Sequence, residues 1–175
     1  KDTEELNRSW HHACREILEA LLQGKDCAFI TEGDPMIYST FAYVLEYFTK
    51  FHPEVTIEVI PGISCFNATA ARARVPLCKE GQKLAIYPVG YDDGNLEHVL
   101  EEFDTVALYK TYRAKNRILD ILKTHGEEAG VVFAEKVSRP DERIVEGLEQ
   151  IEGQEMGYFS MLLFHKALEV VRRKA

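Results

Sequence analysis

The chain opens with apolar residues at helical spacing. Leu6, Trp10, Ala13, Ile17, Leu18 and Leu21 stand three or four apart among charged neighbours, and Gly24 closes the run. This predicts an amphipathic helix from Glu4 to Gln23. The pattern then turns continuous: Cys27, Ala28, Phe29 and Ile30 follow the turn residues Gly24, Lys25 and Asp26, as expected of a strand covered on both faces. Gly33 breaks that strand. Asp34 is a good N-cap and Pro35 suits a first helical position, while Ile37, Phe41, Val44, Leu45 and Phe48 carry the apolar face of the helix that would follow. Val55, Ile57 and Val59 alternate with Thr56 and Glu58, which predicts a second strand. Ile60 to Ser64 make a turn, and a helix rich in small residues is expected from Cys65 to Arg74, where Ala68, Ala70, Ala71 and Ala73 leave little side-chain bulk.

Val75 and Pro76 end this first part, and Lys79, Glu80, Gly81 and Gln82 form a short polar linker, so the expected domains are residues 1–80 and 81–175. Strand signals are denser beyond the linker. Leu84–Val89, Thr105–Tyr109, Gly130–Ala134, Arg143–Gly147 and Tyr158–Phe164 read as strands, with helices at Leu96–Phe103 and Lys115–His125 and a last helix ending in Arg172, Arg173 and Lys174. The class is α/β. Each strand–glycine–helix junction of the first part would turn free backbone N–H groups outward from a sheet edge, where open α/β folds bind ligands. One such junction is an ordinary turn; two neighbouring ones can wall a nucleotide-sized crevice.

Composition narrows the function classes. With 46% hydrophobic and 29% charged residues, 175 residues can bury a real core. A formal net charge of −8 argues against a general binder of nucleic acid or acidic membranes. No apolar run approaches a membrane span and no signal-peptide pattern is visible, so the expected location is the cytoplasm. Cys14, Cys27, Cys65 and Cys78 are widely separated and read as reduced thiols. His11 and His12 are adjacent on a helix and point about 100° apart, while His52, His98, His125 and His165 stand alone, so no metal site is expected.

Four segments carry a resemblance: EGDPMIYSTF from Glu32 to Phe41, VIPGIS from Val59 to Ser64, FAEKVSRPDERIVEGL from Phe133 to Leu148, and YFSMLLF from Tyr158 to Phe164. In this order they resemble the tetrapyrrole methylases of corrin and sirohaem synthesis, and the resemblance covers essentially the whole chain. It implies the α/β methylase fold of that family, two α/β domains with the cofactor cleft between them. The family's opening strand and GxGPGD loop have no counterpart here, so the expected first domain is incomplete and its affinity for the cofactor low. The strand around Cys27 to Thr31, or that around Val55 to Ile60, is then expected to pair with another chain or to be partly disordered.

The resemblance further implies S-adenosylmethionine as cofactor and S-adenosylhomocysteine as product. Carried over residue by residue, the cofactor contacts are Glu32, Gly33, Asp34, Ile37, Ser64 and Cys65, then Lys110 and Val137 after two strands of the second part. The implied reaction is methylation of carbon 20 of precorrin-2 or of its cobalt-containing counterpart, cobalt-factor II, in cobalamin synthesis. Methylation at another ring carbon, or a non-catalytic module that binds a nucleotide or a partner protein, are the alternatives. Such a site needs shape more than acid/base side chains, since the sulfonium brings its own leaving group; no general base is named. The substrate brings carboxylates, and Lys110, Arg113, Lys115 and Arg117 cluster after a strand end. Arg113 and Arg117 are the candidate substrate residues, with Arg72, Arg74 and Arg139 as further cations. Family likeness also implies a homodimer.

Overall fold

The structure is a computed structural model that describes residues 3–89, 94–124 and 130–166, with side chains from residue 8 onward. The chain forms two compact units, Lys1–Ser64 and Cys65–Ala175.

In the first unit, α1 (Thr3–Leu22) packs on α2 (Phe41–Phe51). Cys14, Phe41, Val44 and Phe48 are buried at the contact, and Ile17, Leu18, Leu21 and Leu45 close around them. Removing each of the large side chains from water contributes about 1.5–3 kcal/mol. Trp10 stacks on Tyr43 with ring centroids 5.6 Å apart. Leu6 lies outside the described side chains. The amphipathic stripe is therefore real, and Cys14, at 0% exposure, is its most deeply buried member.

The two strands expected in this unit are not strands. Residues 25–31 and 57–64 are irregular, and no ladder joins either to a neighbour among the described residues. Cys27 is exposed, Ile30 is 93% exposed and Ile60 75%. Apolar runs of this kind become buried strands only when another backbone lies alongside to pair N–H with C=O, and within this unit none does.

The second unit holds a sheet of β1 (Leu84–Pro88), β2 (Thr105–Tyr109), β3 (Gly130–Glu135), β4 (Arg143–Glu146) and β5 (Ser160–His165), in the order β1-β2-β5-β3-β4. β1 and β2 are parallel, and β5 is antiparallel to both β2 and β3. β4 is antiparallel to β3. The carboxyl ends of β1, β2 and β3 thus share one edge with the amino ends of β5 and β4. Val106, Leu108, Val131, Phe133, Leu162 and Phe164 face a core built with α4 (Leu96–Glu102), α5 (Lys115–Lys123) and α6 (Leu148–Glu152). The alternate residues Ala107, Val132, Ala134, Met161 and Leu163 are buried too. α3 (Cys65–Ala73) packs on β4 and β5, and Thr69 Oγ1 donates to Met161 Sδ at 3.4 Å. Burial on both faces is why these strands read as continuous apolar runs. The last helix expected, ending in Arg172, Arg173 and Lys174, lies outside the described residues.

His165 sits buried at the end of β5, and burial pushes its imidazole pKa down; Lys79 adds to this and Asp104 opposes it. The folded chain therefore resists a proton that the unfolded chain accepts below about pH 6.5. Stability should fall as pH drops from 7.5 through that value. Urea midpoints measured across pH 5.5–7.5 should show the slope, and His165→Gln should flatten it; an equal slope in the variant refutes the assignment.

Candidate functional site

The first unit brings its two glycine-bearing turns into contact. Gly33 has φ +74°, the left-handed region open to glycine. A Cβ on Gly62 would lie 2.2 Å from the Gly33 carbonyl oxygen and 2.9 Å from its carbonyl carbon. Asp34 bolts the crossing: its Oδ2 accepts the Gly62 N–H at 3.1 Å and its Oδ1 the Met36 N–H at 2.8 Å. Glu32 and Gly33 are exposed at the crossing, Asp34 and Ile37 half-buried, and Ser64 buried. The sequence therefore brings Glu32, Gly33, Asp34 and Ser64 to one place within this unit.

Asp34 and Pro35 do not start a helix. Both Asp34 oxygens are engaged, one of them on a residue 28 positions away. Tyr38 then takes φ +52°, which no α-helix continues through. α2 begins only at Phe41, whose N–H is received by Ser39 Oγ at 3.1 Å. Residues 34–40 are left as turns that hold backbone at the surface.

The second unit concentrates unusual backbone at the carboxyl edge of its sheet. Lys110, directly after β2, has φ +60°; Lys136, directly after β3, has φ +50°, and Ser138 has φ +67°. Val137 lies half-buried between the last two. Left-handed non-glycine residues cost about 1–2 kcal/mol each and gather where binding or catalysis fixes the backbone. The segment after β3 is held by charge: Lys136 Nζ reaches Asp141 Oδ2 at 2.6 Å, and Glu142 Oε2 accepts the Ser138 N–H at 2.6 Å. Arg72 of α3 reaches Glu142 Oε1 at 2.6 Å. The Arg72 hydrogen bond, with that from Ser138, holds the Glu142 carboxyl below the usual carboxylate range.

Cys65 opens α3, and its Sγ donates to Tyr109 Oη at 3.0 Å; burial pushes the thiol pKa up, so Cys65 is a neutral thiol. Phe66 meets the Tyr109 ring edge-on at 6.5 Å. Lys110 and Cys65 therefore flank Tyr109. Of the two candidate substrate arginines, Arg113 lies in the 3-10 turn Thr111–Arg113 beside this edge. Arg117 is on α5 and lines a cavity of about 470 Å³ with Glu97 and Asp120.

Residues 1–151 match the family described as Tetrapyrrole (Corrin/Porphyrin) Methylases. The chain belongs to this family. The family's enzymes transfer a methyl group from S-adenosylmethionine to carbon. A probable cobalt-precorrin-2 C(20)-methyltransferase of Methanocaldococcus jannaschii is 33% identical over 168 residues, which cover 95% of this chain and 69% of the relative. The cobalt-precorrin-2 C(20)-methyltransferase of Salmonella typhimurium is 29% identical, over 96% of this chain and 70% of that protein. Among solved structures, a cobalt precorrin-4 methyltransferase superposes with a TM-score of 0.72 at 20% identity, over 89% of this chain and 70% of its own. A uroporphyrin-III C-methyltransferase of Thermus thermophilus, complexed with S-adenosyl homocysteine, gives 0.61 at 22% identity, over 98% of this chain and 75% of its own. The α/β methylase fold expected from the motifs is thus the fold of this chain.

Three residues of this methylase that sequence reasoning passed over shape the geometry. Gly62 was legible only as part of a Pro-Gly turn, yet a side chain there would collide with the Gly33 backbone. In the sequence Tyr109 is the end of an expected strand, and Glu142 enters only as part of the segment from Phe133 to Leu148.

Proposed function

We propose that the chain binds S-adenosylmethionine and methylates carbon 20 of precorrin-2 or its cobalt-containing counterpart, as a soluble cytoplasmic homodimer. The observation that carries the carbon-20 assignment is the match over nearly the whole chain to relatives from two organisms whose names specify that carbon. The proposed cofactor contacts are Glu32, Gly33, Asp34, Ile37, Ser64, Cys65, Lys110 and Val137, and the proposed two-domain division falls after residue 80.

The residues fit the cofactor. S-adenosylmethionine supplies a methyl on a positively charged sulfur that is its own leaving group. The bolted turn at Gly33 and Gly62 offers exposed backbone without side-chain bulk, and Asp34 is fixed there by two N–H groups. Such preorganised backbone is suited to a ribose or an amino-acid end. Cys65, a neutral thiol hydrogen-bonded to Tyr109, adds shape without a competing nucleophile. The left-handed Lys110 and the Lys136–Ser138 turn fix loop backbone at the sheet edge rather than leave it to be ordered on binding.

The test is calorimetric titration with S-adenosylhomocysteine, followed by incubation with methyl-labelled S-adenosylmethionine and precorrin-2. Label at carbon 20, located by NMR, supports the proposal; label at another ring carbon, or cofactor binding without transfer, rejects it. Arg113→Ala with Arg117→Ala should weaken tetrapyrrole binding more than cofactor binding, by about 1.5–3 kcal/mol for each charge-assisted bond lost. Equal loss for both ligands would remove these arginines from the substrate site.

A further inference from the structure

β5 lies between β2 and β3, so its first residues stand between the two left-handed turns that follow those strands. Met161 pairs with Tyr109 on one side and with Ala134 on the other, and Ser160 pairs with Glu135. The incoming segment Gly157–Ser160 is therefore a crosspiece between Lys110 and Lys136. It is bonded to both turns. On the β3 side the Lys136 N–H donates to the Phe159 carbonyl at 2.9 Å, and buried Glu135 accepts the Gly157 N–H through Oε1 at 2.9 Å. On the β2 side the buried hydroxyls of Thr111 and Ser160 meet at 3.4 Å. Ser160 gives its one hydroxyl proton to the Gly157 carbonyl at 2.6 Å, so in that contact Thr111 is the donor.

Glu135 is the anchor of this crosspiece. Its second oxygen, Oε2, accepts Arg143 Nε at 2.9 Å and lies 2.7 Å from Nη2. Arg143 in turn donates through Nη1 to Gln154 Oε1 at 3.0 Å and through Nη2 to the Glu155 carbonyl at 2.9 Å. Space is equally strict, since a Cβ on Gly157 would stand 2.5 Å from Glu135 Oε1. A largely buried ion pair adds little net stability over apolar packing of similar volume, because the loss of hydration offsets the attraction. What it supplies is direction. The carboxylate sets where Gly157 stands, and the residues after Gly157 meet both turns. Left-handed residues persist only where their surroundings over-determine them, and the crosspiece is the part of the surroundings that the Lys110 and Lys136 turns share.

We propose that Glu135 is a positioning residue of this methylase: through the Gly157–Ser160 crosspiece it holds the turns at Lys110 and Lys136–Ser138 in one arrangement, ready for the cofactor. It acts on backbone and not on the ligand. An arrangement formed before binding spares the cost of ordering two loops when the ligand arrives. The inference rests on the proposed cofactor contacts for what the two turns bind, but not for the coupling between them.

The test is Glu135→Gln in the 175-residue chain, read by amide hydrogen exchange and by calorimetric titration with S-adenosylhomocysteine. One amide oxygen can serve Gly157 or Arg143 but not both. The Lys136 N–H, bonded to Phe159, and the Arg113 and Ala114 N–H groups, bonded to Lys110 and Thr111, report the two turns. All three should exchange at least about tenfold faster, the scale of one lost charge-assisted bond, while the centres of β2 and β3 keep their protection. Affinity for S-adenosylhomocysteine should fall by about the same factor. Thr111→Val keeps the shape and cuts the crosspiece from one turn, so it should free Arg113 and Ala114 and leave Lys136 protected. Arg143→Lys, which keeps the charge but loses the fork, should act in the direction of Glu135→Gln and serves if that variant fails to fold. Faster exchange confined to residues 154–157 overturns the proposal, as does faster exchange throughout the sheet, which would make Glu135 a support of the whole fold. So does undiminished affinity in a variant whose turns have both loosened. If the wild-type chain does not bind S-adenosylhomocysteine but both turns loosen together, the coupling stands and the cofactor reading fails.

Discussion

Gly62→Ala should reduce S-adenosylhomocysteine affinity by about a hundredfold or more, because a cost near 3 kcal/mol makes the binding-competent arrangement a minor state. The added Cβ would sit 2.2 Å from the Gly33 carbonyl oxygen, and both partners are backbone. Overpacking against side chains costs about 1–3 kcal/mol, since rotamers can give way. Here no rotamer exists to move, and the Asp34 bond to the Gly62 N–H resists separation of the two segments. Gly33→Ala is the discriminating control. Its Cβ would meet the Ile63 carbonyl oxygen at an ordinary 3.5 Å, so its penalty is that of φ +74° alone, about 1–2 kcal/mol and roughly a tenfold loss. Calorimetric titration of both variants, with near-ultraviolet circular dichroism as the check on folding, gives the order. A Gly62→Ala chain that binds like the wild type, or a Gly33→Ala chain that is hurt as badly, removes this crossing from the cofactor site.

The sequence points to Gly33 and the structure to Gly62, and the difference shows what a residue pattern can carry. A glycine in a strand–helix junction announces conformational freedom, which is local. Lack of space for a Cβ is set by a segment 29 positions away and leaves no local trace. The same limit explains the first unit. Cys27–Ile30 has the composition of a buried strand, but strandhood is a property of the neighbour as much as of the residues. The helix beginning at Phe41 rather than Pro35 is a third case: Asp34 has the chemistry of a cap, and a long-range bond to Gly62 uses it otherwise.

In the second unit the pattern sufficed, because two-sided burial writes itself as continuous apolar runs. Thr105–Tyr109 is recovered residue for residue, and the other strands within two residues of their ends. β5 begins at Ser160 rather than Tyr158 because the two aromatic residues before it have strand-like composition but stand out at the edge. The five-residue α6 and the 3-10 turn Thr111–Arg113 are too short to show a period. As cofactor contacts, Lys110 and Val137 follow only from family resemblance. Their distinguishing feature, left-handed backbone at or beside a non-glycine residue, is one that composition does not announce.

That backbone needs a clamp, and Glu142 is placed to supply it. The Glu142 carboxylate is 12% exposed and joins the Ser138 N–H to the Arg72 guanidinium, so it ties the 136–142 segment to the helix that Cys65 opens. Glu142→Ala would leave both donors to water and would leave Lys136 and Ser138 free to relax from φ values that cost about 1–2 kcal/mol each. The expected result is a melting temperature lowered by about 2–8 °C and S-adenosylhomocysteine affinity lowered about tenfold, the equivalent of 1.4 kcal/mol. Glu142→Gln keeps an acceptor for Ser138 and should fall between. Arg72→Ala added to Glu142→Ala should cost little more, since the pair shares one interaction. Because Arg72 and Ser138 hold the folded carboxyl below its ordinary value near pH 4.3, the clamp is fully present above that value and lost only as pH falls through the lower folded one. The affinity difference between wild type and Glu142→Ala should therefore stay constant from pH 6 to pH 8. A variant that melts earlier yet binds the cofactor as tightly as the wild type would show that Glu142 supports the fold and not the site.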